Sequence, residues 1–334
     1  MNNEKLRDCV IVGGGPAGFA AALYAARDRY DVLVLEKNGL SGGQILLTEK
    51  VENYPGYEQV GGPELMQTMQ KQVENFGAEV AAGKAVTSLR AEDDVLVVEI
   101  NDGDEIVRAR AVILAPGSDY RTLGVPGEDD MRQATRVSYC ATCDGAFYRD
   151  MHVLAVGGGN TAVEDSTYLA TRFVKNLTLV HRRREFRAQK VLVEELYNAA
   201  DEHDIDIKLP YVLERIVPAD GGEQIDHVVL RNVETDQTED LKVDGVFIFV
   251  GMVPNTGWLR GAVDMDDNGY IAADPITMKT SMPGVFVVGD CRQAAALQLA
   301  TATSDGVIAA MQLKHYFRDP STWQSETTAE GTGW

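Results

Sequence analysis

Two glycine-rich segments, each framed by a strand pattern and a helix pattern, constrain the fold of this chain more than any other feature. Residues 13–18 read GGGPAG and residues 157–162 read GGGNTA. Glycines at a strand-to-helix junction let the backbone approach the phosphates of a dinucleotide. One GxGxxG is common by chance, but two in matching contexts predict two dinucleotide sites.

The chain around each glycine segment repeats the same order of elements. Residues 8–12 form an apolar strand pattern, an Ala-rich helix pattern runs to about Asp28, and residues 32–36 form a second strand pattern. Around the second segment, residues 153–156 predict a strand, a helix extends to about Thr171, and another strand covers residues 177–181. The predicted fold class is therefore α/β, with two Rossmann-like dinucleotide-binding domains of three ββα layers.

Two stretches of alternating apolar and polar residues come after the βαβ units. Residues 79–117 and 212–251 each predict a small antiparallel sheet whose last strand returns to the parallel sheet. Another buried strand, residues 284–290, ends in Asp290. Open α/β sheets bind ligands at the carboxyl ends of their strands, so this acid is a candidate contact.

This order of elements predicts that the second nucleotide domain is inserted into the first. The first domain covers residues 1–117 and 248–334, and the inserted domain covers residues 120–246 and contains a CxxC motif. Connecting strands near residues 118–122 and 245–248 are predicted to form a hinge.

The residue that ends the second strand of each unit predicts which nucleotide binds. In the first unit it is Glu36, whose carboxylate accepts hydrogen bonds from ribose hydroxyls, as in NAD or FAD sites. In the second unit His181 is followed by Arg182 and Arg183, with Arg187 nearby. Guanidinium groups attract a 2′-phosphate, so we predict FAD at the first site and NADPH at the second. The alternative is a solvated basic run at the start of a helix.

The CxxC motif, Cys140 to Cys143, is followed directly by Asp144. In a cytosolic chain of this size such a pair is catalytic or binds metal, and metal is disfavoured because no second CxxC or nearby His pair completes a zinc site. Asp144 is suited to act as general acid and base for an outgoing thiol. The alternative, an inert buried pair, describes Cys9 and Cys291 better.

Composition limits the partners. The 334 residues carry a net charge of −20, which argues against nucleic acid and anionic membranes. No apolar run reaches membrane-spanning length, and the first five residues lead into a strand pattern without a hydrophobic leader, so a cytoplasmic location is expected. The polar segment from Ser321 to Trp334 is expected to be loosely ordered.

Together these motifs resemble the low-molecular-weight, bacterial-type thioredoxin reductases, and the resemblance extends to about residue 315. The resemblance is seen in Gly13–Gly18, Gly42–Gln44, Glu52–Gly56, Cys140–Gly145, Gly157–Ala162, His181–Arg183, Phe186–Ala188 and Gly289–Asp290.

The resemblance implies a homodimeric FAD enzyme that passes a hydride from NADPH to flavin, and then electrons to a Cys140–Cys143 disulfide. It also implies that Cys143 faces the flavin, that Cys140 attacks the disulfide of thioredoxin or a thioredoxin-like protein, and that Asp144 is the acid. Because the nicotinamide site and the dithiol share one domain, we expect a domain rotation to exchange them at the flavin.

The predicted cofactor contacts divide between the two domains. For FAD they are Gly13, Gly15, Pro16, Ala17, Gly18, Glu36, Lys37, Gly43, Gln44, Asn53, Ala115, Gly117, Gly289, Asp290 and Gln298. For NADPH they are Gly157, Gly159, Asn160, Thr161, His181, Arg182, Arg183 and Arg187.

Two departures from the family pattern leave alternatives open. Leu297 stands where the family usually has Arg, and the chain continues to an aromatic residue, Trp334. If Trp334 stacks on the flavin, another donor such as ferredoxin replaces NADPH; otherwise the tail is frayed. A third possibility is a non-catalytic flavin-binding redox sensor, which has no need for Cys140, Cys143 and Asp144.

Overall fold

The computed structural model describes residues 5–48 and 51–324. The chain divides into two compact units, which we call unit 1 (Met1–Asp119 with Val253–Trp334) and unit 2 (Tyr120–Met252). The chain thus leaves unit 1 once and returns to it once.

The described residues form strands β1 to β17 in chain order. Their bounds are β1 Leu6–Val12, β2 Val32–Glu36, β3 Glu79–Ala82, β4 Val86–Glu92, β5 Val95–Ile100, β6 Glu105–Leu114, β7 Ser118–Tyr120, β8 Val137–Ser138, β9 His152–Gly157, β10 Asn176–Val180, β11 Ile205–Lys208, β12 Tyr211–Pro218, β13 Ile225–Asn232, β14 Thr238–Leu241, β15 Gly245–Phe249, β16 Met252–Pro254 and β17 Val285–Val287.

The α-helices of the described residues are numbered in the same way. They are α1 Pro16–Arg27, α2 Gly62–Asn75, α3 Glu128–Gln133, α4 Ala141–Asp144, α5 Asn160–Arg172, α6 Lys190–Glu202 and α7 Leu299–Arg318. Short 3-10 helices include Gly43–Leu47, Gly145–Tyr148 and Gly289–Cys291.

Unit 1 is built on a seven-stranded sheet with the order β3-β2-β1-β6, continued by antiparallel β5 and β4. Strand β17 pairs in parallel with the carboxyl half of β6. Residues 9–12 of β1 and 32–35 of β2 are apolar and fully or almost fully buried because both faces of a parallel sheet are covered.

Different elements pack on the two faces of this sheet. Cys9 and Ile11 of β1 pack with helices α1, α2 and α7, whereas Val10 and Val12 pack with β4, β5 and residues such as Leu259. This alternation follows from the two-residue period of a strand. The result is the helix–sheet–sheet layering that the sequence predicts.

Unit 2 repeats this layering on a smaller scale. Its parallel sheet has the order β11-β10-β9-β15-β8. Val153 and Ala155 of β9 face the side of α5 and α6, and Leu154 and Val156 face the antiparallel sheet of β12, β13 and β14. The predicted fold class, two Rossmann-type α/β units, is confirmed.

Two details differ from the sequence interpretation. The alternation over residues 79–117 predicts an antiparallel sheet from residue 79 onward, but β3 pairs in parallel with β2, and the antiparallel ladder begins with β4. The sequence also predicts that the inserted domain ends at residue 246, with a hinge strand near residues 245–248. Strand β15 instead lies inside the parallel sheet of unit 2, paired with β9 and β8, and unit 2 ends at Met252. A buried apolar strand is stabilised more by pairing with two neighbouring strands than by connecting two domains.

Candidate redox-active site and nucleotide cradles

The glycine turn of unit 1 joins β1 to α1 by close backbone contacts. Gly13 has φ +111°, and a Cβ atom there would lie 2.1 Å from the carbonyl oxygen of Ala115. A Cβ atom on Gly18 would lie 2.0 Å from the carbonyl oxygen of Gly13. Neither position can hold a larger residue, so both glycines are required for helix α1 to pack on the sheet.

Gly15, in contrast, is not crowded by other protein atoms. Its backbone is extended (φ −84°, ψ −175°), and a Cβ atom would meet nothing within 4 Å. No protein atom among the described residues therefore explains this glycine. The open space at the N-terminus of a helix is where the pyrophosphate of a dinucleotide approaches the backbone, so the turn fits FAD.

Glu36, at the end of β2, is held by the same turn. Its carboxylate accepts hydrogen bonds from the backbone N–H of Gly14 at 2.9 Å and of Asn38 at 2.8 Å. These bonds fix the side chain while leaving lone pairs on both oxygens, as a ribose contact needs. Lys37 next to it is exposed, and Pro16 begins helix α1.

Other predicted flavin contacts come together within unit 1. The side-chain amide of Gln44, on the helix that begins at Gly43, donates to the carbonyl oxygen of Ser118. Asn53 Nδ2 lies 3.5 Å from Gln298 Oε1, although 245 residues separate them in the chain. Gly117 lies next to Ser118 at the start of β7.

The segment after β17 returns to helix α1. A Cβ atom on Gly289 would lie 3.0 Å from the Cβ atom of Ala17. Burial, and then the nearby charge of Asp305, raise the pKa of Asp290 to about 6, against the lowering effect of Arg292. Asp305 itself is paired with Arg292 at 2.7 Å and accepts from the Gly289 N–H at 3.1 Å. Asp290 is therefore a buried acid with spare hydrogen-bonding capacity beside the turn.

The glycine turn of unit 2 reproduces the geometry of unit 1. A Cβ atom on Gly157 would lie 2.5 Å from the carbonyl oxygen of Phe249, whereas one on Gly159 would meet nothing within 4 Å. Asn160 Oδ1 accepts from the Gln189 N–H at 2.9 Å, and Thr161 is exposed. This turn has the shape of a second phosphate cradle.

The basic segment after β10 lies against this second turn. The N–H of Arg187 donates to the carbonyl oxygen of Gly158 at 2.7 Å, and a Cβ atom on Gly158 would overlap the ring of His181. Burial, followed by the charges of Arg187 and the two arginines after His181, lowers the pKa of His181. The imidazole is therefore kept neutral next to exposed guanidinium groups.

The four arginines of this segment are not equivalent. Arg182, Arg183 and Arg187 are exposed, while Arg184 makes a bidentate pair with Glu234 at 2.6 and 2.7 Å. A guanidinium group whose N–H groups already bond a carboxylate has few donors left to bind a phosphate. The segment thus offers three cations to a 2′-phosphate, and Arg184 fastens it to the β13–β14 hairpin.

The predicted dithiol is a disulfide at the start of α4. Cys140 and Cys143 are bonded with their Cα atoms 5.3 Å apart, and Cys140 is the residue before the helix. The N–H of Cys143 points to Cys140 Sγ at 3.2 Å, and Thr142 Oγ1 lies 3.4 Å from the same sulfur. Cys143 is exposed and Cys140 is half-buried, so the disulfide is accessible on this unit.

Asp144 lies directly behind the disulfide and is mostly buried. Burial raises the pKa of its carboxyl, and a hydrogen bond from Ser138 Oγ at 2.6 Å acts in the opposite direction. A carboxyl with a raised pKa keeps its proton closer to neutral pH, which suits it to protonate a thiolate.

Sequence reasoning missed Glu128 and Tyr139. Glu128 is buried, and its carboxylate accepts from the N–H of Leu123, Gly124 and Val125 and from the hydroxyl of Tyr139 at 2.7 Å. These bonds fix the residue that precedes Cys140. No local signal could have found them, because Glu128 reads as one more acid at the start of a helix.

The other positions singled out in the sequence lie apart from these clusters. Cys9 and Cys291 are buried and free, as predicted. Leu297 is exposed, with φ 54°. Trp334, and with it the tail alternative, lies outside the described residues. Among residues 5–48 and 51–324, no three side chains of metal-binding type come together.

Known proteins share this arrangement. The family model described as pyridine nucleotide-disulphide oxidoreductase matches residues 7–308. The thioredoxin reductase of Bacillus subtilis (strain 168) is 39% identical over 319 residues, which cover 96% of this chain and 97% of that protein. The thioredoxin reductase of Mycolicibacterium smegmatis is 40% identical over 319 residues, covering 95% and 98%.

A solved structure shows the same likeness in three dimensions. The thioredoxin reductase from Streptococcus pyogenes MGAS5005 aligns with a TM-score of 0.85 at 42% identity, covering 94% of this chain and 98% of the other. In the part of the chain that the structure describes, none of the helices has the length and apolar character needed to cross a membrane.

Gly15→Ala and Gly159→Ala are expected to separate cofactor binding from folding. Both backbones are extended and both sites are open in the protein, so the free energy of unfolding without cofactor should be unchanged or rise by up to about 1 kcal/mol. Gly15→Ala should weaken FAD by at least about tenfold and spare NADPH, and Gly159→Ala should do the reverse.

Flavin content, NADPH titration and thermal unfolding of the purified variants measure these effects, and each variant is the control for the other. Full flavin content in Gly15→Ala would show that the turn does not contact the pyrophosphate.

Proposed function

Because the chain belongs to the pyridine nucleotide-disulphide oxidoreductase family, and within it to the thioredoxin reductases, we propose that it reduces the disulfide of a thioredoxin or thioredoxin-like protein with electrons from NADPH. The observation that carries this proposal is that unit 2 combines three features. They are an accessible disulfide, a carboxyl group with a raised pKa and a phosphate cradle lined by arginines.

FAD and NADPH are the cofactors of this group, and the two cradles fit them. A bound FAD supplies two-electron transfer between NADPH and a disulfide. Glu36 is suited to bind ribose hydroxyls in unit 1, since its carboxylate is already oriented by two backbone bonds. In unit 2 the corresponding place is taken by neutral His181 with Arg182, Arg183 and Arg187, which suits a 2′-phosphate.

The Cys140–Cys143 pair passes its electrons on by thiol–disulfide exchange. The Cys140 thiolate attacks one sulfur of the substrate disulfide, a mixed disulfide forms, and the substrate's other sulfur leaves as a thiolate. The Cys143 thiolate then attacks Cys140 Sγ, which restores the Cys140–Cys143 bond and releases the second substrate thiol. Two electrons leave the dithiol and reduce one substrate disulfide.

Asp144 provides the proton that this exchange needs. It comes directly after Cys143, and burial keeps its carboxyl protonated at higher pH than an exposed aspartic acid. Protonating a leaving thiolate prevents it from attacking the mixed disulfide in reverse. These residue roles come from the family likeness and from the geometry around the disulfide.

The assembly and the location are proposals too. We infer a cytoplasmic homodimer from the likeness to bacterial thioredoxin reductases. Sedimentation equilibrium at micromolar concentration should give about twice the mass of one chain at every loading concentration. A single-chain mass under these conditions would rule the dimer out.

The dithiol role is tested with Cys143→Ser. Anaerobic NADPH should bleach the flavin of both the parent and the variant, whereas NADPH-dependent reduction of thioredoxin should fall to background in the variant, because no internal disulfide can form. Cys9→Ala, which changes a buried cysteine in β1, should keep full turnover.

Stopped-flow flavin absorbance and a thioredoxin-coupled NADPH assay give both readouts. Turnover retained by Cys143→Ser would refute the proposed electron path. A parent protein whose flavin is not reduced by NADPH would refute the proposed donor.

The arginine segment is tested with Arg182→Ala plus Arg183→Ala. The double variant should raise the KM for NADPH by about 10- to 100-fold, since a charge-assisted hydrogen bond contributes about 1.5–3 kcal/mol. The KM for NADH should change little because NADH lacks the phosphate.

Arg184→Ala is the matched control. Its guanidinium is paired with Glu234, so removing it should alter the NADPH KM far less than the double variant does. Equal effects on NADPH and NADH, or an equal effect of Arg184→Ala, would contradict the assignment.

A further inference from the structure

Ser138 lies two residues before the disulfide, at the end of strand β8, and its side chain is buried. Its hydroxyl makes three contacts. It donates to Asp144 Oδ2 at 2.6 Å and accepts from the N–H of Cys140 at 3.1 Å. The carbonyl oxygen of Cys140 is a second acceptor but lies farther away, at 3.4 Å, so the proton is directed to Asp144. One hydroxyl therefore contacts both the acid and the backbone of the first cysteine.

The position of this hydroxyl is set by the sheet. Strand β8 pairs in parallel with β15, and Ser138 lies opposite Phe247, which is fully buried. Asp144 and Cys140, in contrast, belong to the turn and the short helix α4. A group anchored in a sheet thus contacts two groups that lie outside the sheet.

We propose that Ser138 is a positioning residue for disulfide exchange, which holds the Asp144 carboxyl group and the Cys140 backbone in one fixed relation. This inference rests on the proposed function and adds a residue that the motifs described above do not include.

Ser138 is needed after Asp144 has given up its proton. In the exchange, a sulfur leaves the substrate disulfide as a thiolate and takes the proton of Asp144, which leaves a carboxylate in a mostly buried place. A hydroxyl that donates to this carboxylate stabilises it, because a charge-assisted hydrogen bond replaces the lost water. Ser138 keeps its own proton throughout.

Other ionisable groups near Asp144 are engaged elsewhere. Tyr148 lies close enough for the charge of Asp144 to help raise its pKa, but its hydroxyl donates to the Thr135 carbonyl at 2.9 Å. Arg136, which also acts on Tyr148, donates from Nε to the Glu223 carbonyl at 3.2 Å.

Helix α5 also packs near α4 and contains two acids, Glu164 and Asp165, of which Asp165 has a raised pKa that would affect a pH profile. The side chains of this region that approach Gly145 are Leu169 and Phe173, both apolar. Asp165 has a pKa raised to about 6 by burial and by Glu164. Asp165→Asn is therefore the control that separates its titration from that of Asp144.

The test uses full-length protein with bound flavin. Ser138→Ala, Ser138→Thr, Asp144→Asn, Asp165→Asn and the double variant Ser138→Ala plus Asp144→Asn are reduced with dithiothreitol without oxygen, and the excess is removed. Two rates are measured across the pH range: reduction of thioredoxin disulfide, and alkylation of the dithiol by iodoacetamide, located by peptide mass spectrometry.

Ser138→Ala should lower the exchange rate at neutral pH by about tenfold, a part of the 10²–10⁴ that general acid–base catalysis contributes. Losing a hydrogen bond to the carboxylate raises the pKa of Asp144 further, so the alkaline limb of the pH profile should move to higher pH. The pH dependence of alkylation should shift as well, because the thiols titrate beside Asp144. Ser138→Thr keeps the hydroxyl and should restore all three properties. Asp165→Asn should leave this limb in place.

The double variant decides between positioning and stability. If Ser138 acts through Asp144, removing its hydroxyl from Asp144→Asn should change the rate little. An equal loss in both backgrounds, or an unmoved alkaline limb, overturns the proposal. If Ser138→Ala does not fold, judged by flavin content and circular dichroism, the isosteric pair Ser138→Thr and Ser138→Val, which differ by the hydroxyl, makes the same comparison.

Failure of the proposed function gives a different pattern. A parent protein that does not reduce thioredoxin, but whose alkylation profile still shifts with Ser138→Ala, would disprove the function and leave the positioning role standing. An alkylation profile that does not shift, in a parent that reduces thioredoxin, would disprove the positioning role alone.

Discussion

The close approach of backbone to backbone at the two glycine turns is the constraint on which the rest of this structure depends. At Gly13 and Gly18 a Cβ atom would lie 2.1 and 2.0 Å from a carbonyl oxygen, so helix α1 can pack on the sheet only with glycine there. Gly15 between them faces open space. Packing requires two of these glycines and leaves space at the third, which is the pattern that a nucleotide turn has and an ordinary tight turn lacks.

Because both units use the same turn, we propose that the side chains at the end of the second strand of each unit distinguish the two nucleotides. Glu36 is buried and bonded to backbone N–H groups, so its charge is fixed in place for hydroxyl groups and repels a phosphate. In unit 2 the ring of His181 fills the corresponding place, and burial, followed by the charges of the cations around it, lowers its pKa. A neutral ring there lets the arginines beside it act on an anion without a competing charge.

The repeated βαβ units, the buried cysteines and the fold class could be predicted from the sequence because each depends on local period or composition. The parallel pairing of β3 with β2 could not, since a strand of four residues has too little pattern to indicate its direction. Ser138 and Glu128 could not be found either. The hydroxyl of Ser138 matters only because α4 brings Asp144 back to within 2.6 Å of it, and Glu128 only because three backbone N–H groups and Tyr139 converge on it. Short polar side chains acquire such roles from tertiary packing.

The surroundings of Asp144 show how one group meets opposite demands. An acid that delivers a proton near neutral pH needs a raised pKa, which burial supplies, but burial also penalises the carboxylate left after delivery. A cation beside it would stabilise the carboxylate and lower the pKa so far that no proton remained to give. A neutral donor such as the Ser138 hydroxyl opposes the penalty less strongly, so the carboxyl can both hold and release its proton. Arg136, the arginine whose charge reaches this region, is tied to a backbone carbonyl, which fits this requirement.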